Sequence, residues 1–118
     1  MIQHQFKSSC EFATWASENN VYSLYYLGGN MDYPNQPGQR VANFEMDIET
    51  KNETQLACIG LNANELFFMS HDELFEWLIK KNAKDLVNNG SSDTFKGFVE
   101  FSCLVQGKTI TCYVGFGT

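Results

Sequence analysis

Acidic side chains at every second position are the residues of this sequence whose type and spacing best suit specific chemistry. Glu45, Asp47 and Glu49 are two residues apart, and Glu53 follows at the next turn signal. In a β-strand, residues two apart stand about 6.6–7 Å from each other on one face, so these carboxylates would form a row. This acidic ladder repels itself unless cations approach. It predicts either a solvated strand face or a docking strip for Lys and Arg of another protein.

A predicted loop over residues 28–39 (GGNMDYPNQPGQ) contains both prolines and three glycines. A connection of about a dozen residues lies near the upper end of ordinary loops, so it is either a functional loop or a solvated hairpin loop. Asp32 and Tyr33 in this loop would add a carboxylate and an aromatic anchor of the kind that interfaces favour.

Residues with the spacing of a catalytic or metal site are not found. His4 and His71 have no Cys or carboxylate at metal-ligand spacing. The cysteines lack a C-x-x-C pair and sit beside apolar residues, so they are predicted to be buried free thiols: Cys10, Cys58, Cys103 and Cys112. The sequence therefore predicts no enzyme, no cofactor and no metal.

Two helices are predicted from capping boxes, in which a Ser hydroxyl and a Glu carboxylate satisfy free backbone N–H groups. Ser8 with Glu11 begins the first helix, and Ser70 with Glu73 begins the second. The second helix is predicted to continue through a buried stripe that reaches Leu86, because apolar residues recur there at helical spacing.

Period-two patterns predict the strands. The strictest alternation lies between residues 40 and 49, with Ala42, Phe44, Met46 and Ile48 on the buried side. Further strands are predicted over residues 21–27, 54–61 and, as a short addition, 65–69. A last hairpin over residues 96–105 and 108–116 turns at Gln106-Gly107, which pairs Val105 with Lys108 and Cys103 with Ile110.

These elements predict a single α+β domain over residues 1–118, in the order α-β-β-β-(β)-α-β-β. Short turns between neighbouring strands favour one antiparallel sheet of five or six strands with two helices packed on it. No internal repeat is predicted.

Composition narrows the range of partners and locations that the function can involve. The chain has 118 residues, 14 of them acidic and 8 basic, for a net charge of −6. This balance argues against nucleic acid and anionic membranes as partners and is compatible with a basic protein. The N-terminus has no export signal and no apolar run is long enough to span a bilayer, which favours a cytoplasmic location. The oligomeric state is left open.

Small acidic α+β chains without catalytic residues resemble the cytoplasmic immunity proteins that neutralise toxins delivered between competing bacteria. The resemblance implies a non-catalytic inhibitor of a basic, nuclease-type toxin, with the acidic ladder as its contact surface. Alternatives are a phage-encoded inhibitor of a host defence nuclease, a component of a structural assembly, and a small-molecule-binding domain or small enzyme with the 28–39 loop as lid. An apolar pocket would favour the small-molecule alternative.

Overall fold

The computed structural model describes residues 2–30, 40–49, 53–62 and 64–115. Within these residues the chain forms two helices and eight strands in the following order: β1 (Gln3–Phe6), α1 (Ser9–Asn19), β2 (Val21–Asn30), β3 (Arg40–Ile48), β4 (Thr54–Leu61), β5 (Glu65–Phe68), α2 (His71–Lys80), β6 (Lys84–Ser91), β7 (Phe98–Val105) and β8 (Lys108–Gly115).

The strands form two four-stranded sheets, ordered β1-β4-β3-β2 and β5-β8-β7-β6. In each sheet the strand that comes first in the chain pairs in parallel with the strand that comes last, β1 with β4 and β5 with β8. The other neighbouring strands are antiparallel. The predicted single antiparallel sheet of five or six strands is therefore wrong. Parallel pairing arises because a helix separates the first strand of each sheet from the rest, and such a crossover permits the parallel direction that a tight turn forbids.

Two compact units contain these sheets. Unit 1 comprises Met1–Ala63 with Thr94–Lys96, and unit 2 comprises Asn64–Asp93 with Gly97–Thr118. Each unit has the order β-α-β-β-β. The division does not test the predicted single domain over residues 1–118, which stays a prediction.

Two strands were missed by the sequence reasoning, and both misses have a local cause. β1 is only four residues long and lacks turn signals, and it is an edge strand that pairs with β4. The sequence predicts the residues of β6 as the end of the second helix. The helix instead ends at Lys80, and Asn82, two residues later, adopts a left-handed conformation with φ 53° that turns the chain out of the helix. Leu86 consequently lies on a strand and is exposed, rather than in a buried helical stripe.

Both predicted capping boxes are confirmed. Ser8 Oγ accepts from the Glu11 amide at 3.2 Å, and the Glu11 carboxylate accepts from the Lys7 amide at 2.9 Å. Ser70 and Glu73 repeat this arrangement at the start of α2, at 3.2 and 3.1 Å. Each helix N-terminus is thus closed by the same pair of bonds, in which the carboxylate binds the amide of the residue just before the Ser cap.

The capping boxes belong to a longer internal repeat, so the prediction of no repeat was wrong. Phe6, Ser8, Glu11, Trp15 and Asn20 recur 62 residues later as Phe68, Ser70, Glu73, Trp77 and Asn82. Equivalent members make equivalent contacts. Phe6 meets Trp15 with ring centroids 5.3 Å apart, and Phe68 meets Trp77 at 5.7 Å. The two units share a sequence signature as well as a topology, which indicates internal duplication.

In unit 1 one face of the sheet packs against α1. Phe12, fully buried, lies 5.2 Å from Phe6 and 5.7 Å from Phe95, measured between ring centroids. The predicted alternation in β3 is confirmed, since Ala42, Phe44, Met46 and Ile48 are buried.

In unit 2 the core lies between α2 and its sheet. Nine buried residues form it: Leu66, Phe68, Leu74, Val99, Phe101, Cys103, Ile110, Cys112 and Val114. The predicted β7–β8 register is confirmed, because Val105 pairs with Lys108 and Cys103 with Ile110. Phe116, predicted for the same face, lies outside the described residues.

Four side chains were predicted to be inside. Phe44 and Phe101 are buried, whereas Trp15 and Leu78 are only partly buried. None of the four is exposed.

Candidate functional site

The sheet of unit 1 has one face covered by α1 and a second face that α1 does not cover, which we call the open face. Because side chains alternate along a strand, Gln3 and Gln5 of β1 point away from the side on which His4 and Phe6 meet Trp15. The register places Leu56 beside Gln3 and Cys58 beside Gln5. These residues therefore share the open face.

A pocket of about 400 Å³ lies on this face. Nine residues of β1, β2, β3 and β4 line it: Gln3, His4, Gln5, Leu27, Asn43, Phe44, Leu56, Ala57 and Cys58. The volume falls in the range of about 300–1,000 Å³ typical of small-molecule sites. All nine residues belong to unit 1, so the site is built by one unit alone.

The walls of the pocket combine apolar and uncharged polar groups. Leu27 and Leu56 supply aliphatic surface, while Gln3, Gln5 and Asn43 carry carboxamides that can both donate and accept hydrogen bonds. None of the nine lining residues is Asp, Glu, Lys or Arg. A few polar groups in an apolar setting is the composition expected of a ligand site.

Cys58 lies at the centre of the lining, since its neighbours on the adjacent strands are Gln5 and Asn43. Burial raises the pKa of the Cys58 thiol above its ordinary value. The thiol is therefore protonated at neutral pH and acts as a small, weakly polar group rather than as a nucleophilic thiolate.

The equivalent region of unit 2 is filled. Gln5 and Cys58 are paired in unit 1, and Phe67 and Tyr113 are paired at the corresponding point of unit 2. The rings of Phe67 and Tyr113 stack with centroids 5.0 Å apart, and Phe98 packs edge-on against Phe67 at 5.5 Å. All three rings are buried. Aromatic side chains thus occupy in unit 2 the positions that a carboxamide and a thiol occupy in unit 1.

The acidic ladder lies partly on the same open face. Glu45 pairs with Leu56 of the pocket and is partly buried. Asp47 is also partly buried and accepts hydrogen bonds from Ser23 Oγ at 3.5 Å and Thr54 Oγ1 at 3.3 Å. Two hydroxyls of the same sheet thus bind Asp47, whereas Glu45 lies directly beside the pocket residue Leu56.

The structure describes two of the remaining predicted contact residues. Glu49 lies just beyond the end of β3 and is exposed, and Glu53 is exposed in a bend before β4. Asp32 and Tyr33 lie outside the described residues. Residues 28–30 of the predicted 28–39 loop instead continue β2 and pair with β3. Residues 31–39 lie outside the described residues.

An exposed apolar row borders the ladder. β2 forms the edge of the unit 1 sheet opposite β1. On it, Tyr22, Tyr25 and Leu27 are 54%, 46% and 48% exposed. Tyr25 pairs with Glu45. The open edge therefore offers aromatic surface next to a carboxylate, a combination that suits contact with another protein.

Neither a metal-binding cluster nor a membrane-spanning helix occurs in residues 2–30, 40–49, 53–62 and 64–115. No cluster of three or more His, Cys, Asp or Glu is arranged there to hold a metal ion. No helix in that part of the chain is both long and apolar enough to cross a bilayer. The four cysteines are free of disulfides, as predicted, but their predicted burial holds only for Cys103 and Cys112, since Cys58 is partly buried and Cys10 is exposed.

Comparisons with known proteins gave one structural similarity. No protein-family model and no curated protein matches the chain. A glyoxalase family protein from Enterococcus faecalis aligns over 96% of this chain and 93% of its own, with 11% sequence identity and a TM-score of 0.29. Since a TM-score this low does not establish a shared fold, the architecture stands on the strand pairing above.

The pocket residues were not singled out from the sequence. The sequence predicts Cys58 as a buried thiol, and no pattern in it marks Gln3 or Gln5. The internal repeat carried the missing signal: aligning Phe6 with Phe68 places Gln5 opposite Phe67, an uncharged polar side chain where the other copy has an aromatic ring.

Proposed function

We propose that unit 1 binds a small molecule in the pocket on its open face. The observation that carries this proposal is the pocket itself, about 400 Å³ in volume and lined by leucines, carboxamides and one neutral thiol. The small-molecule alternative considered from the sequence is thereby favoured over a purely protein-binding role.

Binding rather than covalent chemistry fits the side chains present. The raised pKa of Cys58 keeps its thiol protonated, and nucleophilic cysteines need the thiolate. The carboxamides orient a ligand by hydrogen bonds but do not exchange protons at neutral pH. The lining thus recognises a ligand, and we assign it no catalytic group.

The proposal is tested by NMR on protein with labelled Leu methyl groups, titrated with a panel of anionic, cationic and neutral fragments. Fragments that enter the pocket shift the Leu27 and Leu56 signals. The signals of Leu66 and Leu74, which lie in the core of unit 2, serve as the internal control. A panel in which no fragment shifts Leu27 and Leu56 more than these two would contradict the proposal.

A second candidate is the inhibitor of a basic protein, such as a bacterial toxin or a host nuclease. It is favoured by the exposed Tyr25 beside Glu45 on the open edge of the sheet. Opposite charges across an interface would accelerate association and make it sensitive to salt. The cytoplasmic location that this role needs stays a prediction.

The test of this candidate must avoid Asp47, because replacing it breaks the bonds from Ser23 and Thr54. Proteins that co-purify at low salt are identified, and binding is compared for wild type and a Glu45→Lys, Glu49→Lys double variant. A Glu18→Lys, Glu76→Lys variant changes net charge equally at exposed helix positions. Slower association in the first variant alone supports the candidate, and equal rates in both reject it.

A further inference from the structure

The groups at the rim of the pocket restrict its ligand, and this inference rests on the proposed function of unit 1. A row of side chains crosses the open face there, because Tyr25 pairs with Glu45 and Glu45 pairs with the lining residue Leu56. Paired residues point to the same face, with Cβ atoms about 4.5–5.5 Å apart. The Glu45 carboxylate therefore lies at the rim, between an aromatic ring and an aliphatic wall.

Glu45 is a carboxylate without a partner in the part of the chain that the structure describes. It is partly buried, yet it makes no hydrogen bond and no ion pair with another residue there. Asp47, two residues along the same face, differs because it accepts hydrogen bonds from Ser23 Oγ and Thr54 Oγ1. Attraction between opposite charges strengthens as water is excluded, so a cation would gain more at Glu45 than at a fully solvated carboxylate.

Positive side chains do not share this face among the described strands. β1, β2 and β4 contain no Lys or Arg. The residues of β3 on the same side as Glu45 are Val41, Asn43 and Asp47. The His4 ring lies against Trp15 on the covered face, with centroids 4.6 Å apart. An anionic ligand would thus be repelled, and a neutral one would leave Glu45 unpaired, whereas a cation would pair with it.

The neighbours of Glu45 fit an ammonium that carries an apolar group. Tyr25 is exposed and makes no ring contact with another described residue, so its π-face is open to a cation. Asn43 lies about 6.6–7 Å from Glu45 on the same strand face, and its carboxamide oxygen accepts N–H bonds. Leu27 and Leu56 supply apolar surface in the pocket. The ammonium stays at the wet rim while only the apolar part is buried, which avoids the cost of burying a charge.

We infer that the pocket takes an organic monocation with an apolar ring or chain, of the class of protonated alkyl and arylalkyl amines. Its ammonium pairs with Glu45 beside the ring of Tyr25, and its apolar part packs against Leu27 and Leu56. One unpaired carboxylate at the rim matches one positive charge. An ammonium also donates hydrogen bonds to carboxylate and carboxamide oxygens, and such charge-assisted bonds are among the stronger ones in proteins.

Three probes that carry the same ring test the inference: benzylammonium, benzyl alcohol and benzoate. Each is titrated into the protein while the Leu27 and Leu56 methyl signals are followed. Benzylammonium is expected to have a dissociation constant at least tenfold lower than the other two, a difference of about 1.4 kcal/mol. This advantage should shrink at high salt, because mobile ions screen the charge pair at the rim.

Glu45→Gln removes the charge and keeps the size of the side chain, so it should weaken benzylammonium about tenfold and leave benzyl alcohol unchanged. Tyr25→Leu should weaken benzylammonium about two- to fivefold, as expected for one exposed cation–π contact. Glu18→Gln, at an exposed position of α1, makes the same change in net charge and is the matched control. It should leave the order of the three probes unchanged. Leu methyl signals that keep their dispersion show that each variant is folded.

Benzyl alcohol or benzoate binding as tightly as benzylammonium would overturn the ligand class while the proposed function survives, because these probes still enter the pocket. A preference for benzylammonium that persists in Glu45→Gln, or that is lost equally in Glu18→Gln, would overturn it too. Failure of all three probes to shift Leu27 and Leu56 also overturns the class. The proposed function falls with it only when the wider fragment panel fails as well.

Discussion

Unit 1 and unit 2 have the same β-α-β-β-β order, the same sheet order and the same helix-capping residues, yet they use their sheets differently. In unit 2 Phe67 and Tyr113 stack where unit 1 has Gln5 and Cys58. Burying aromatic rings stabilises a fold, whereas an amide and a thiol leave space and polar atoms exposed. Unit 2 therefore uses these positions for packing, whereas unit 1 has a pocket lined by Gln5 and Cys58 at the same point.

A second difference lies on the faces that pack against the helices. Unit 1 has Gln55, only 1% exposed, whose Oε1 lies 2.6 Å from His4 Nε2. The buried Nε2 of Gln55 has no hydrogen-bond partner among the residues that the structure describes. The corresponding residues of unit 2 are Leu66 and Ile110, both apolar and buried. Unit 1 therefore keeps a polar pair in its interior, where unit 2 has a purely apolar contact.

The largest expected effect comes from the residue that anchors each helix. Phe12 and Leu74 are equivalent in the repeat, and both are fully buried. Phe12→Ala should lower the free energy of unfolding by about 3–5 kcal/mol and Leu74→Ala by about 2–5 kcal/mol. Urea denaturation measures both losses. A loss under about 1 kcal/mol for either variant, the typical cost of an average substitution, would show that the helix is not anchored there.

Replacing His4 and Gln55 by the apolar residue types found at the corresponding positions of unit 2 tests the second difference. His4→Leu or Gln55→Ile alone should lower the free energy of unfolding by about 1–3 kcal/mol, because each leaves a buried polar group without its partner. The double variant, which copies unit 2, should be close to wild type or more stable. Thermal or urea unfolding of the four proteins gives the coupling. Additive losses would mean that the pair is not a unit.

The helix caps should show the smallest effect and no difference between the units. Ser8→Ala and Ser70→Ala each remove one bond of 3.2 Å to a backbone amide. Each should cost about 1 kcal/mol of unfolding free energy. Ser17→Ala, at an exposed position of α1, is the control. Losses of unfolding free energy that differ several-fold between the two variants would show that the two helix caps are not equivalent.

Local signals in the sequence were sufficient to predict the elements whose structure depends on residues close together in the chain. The capping boxes, the alternation of β3 and the β7–β8 register depend on neighbouring residues, and they were predicted correctly. β1 and β6 depend on pairing with strands far along the chain, which local periodicity does not reveal. For the same reason the parallel β1–β4 pair, which brings Gln5 beside Cys58, could not be read from either segment alone.

The acidic ladder shows a different limit. Alternation correctly placed Glu45 and Asp47 on one face, because side-chain direction follows from the strand period. It could not reveal that Asp47 is bound by hydroxyls from both neighbouring strands. A charge pattern therefore predicts which face of the sheet a carboxylate lies on. Whether its oxygens already accept hydrogen bonds depends on the cross-strand neighbours.

We propose that unit 1 binds a ligand because its open face lacks the aromatic rings of unit 2. A Gln5→Phe, Cys58→Tyr double variant gives unit 1 those rings, and Cys10→Tyr adds one at an exposed position of α1 as a control. The measurement is the dissociation constant of a fragment that shifts Leu56 in the wild-type protein. The account predicts that affinity falls at least tenfold, by about 1.4 kcal/mol or more, in the double variant and is unchanged in the control. Unchanged affinity in a folded double variant would contradict it.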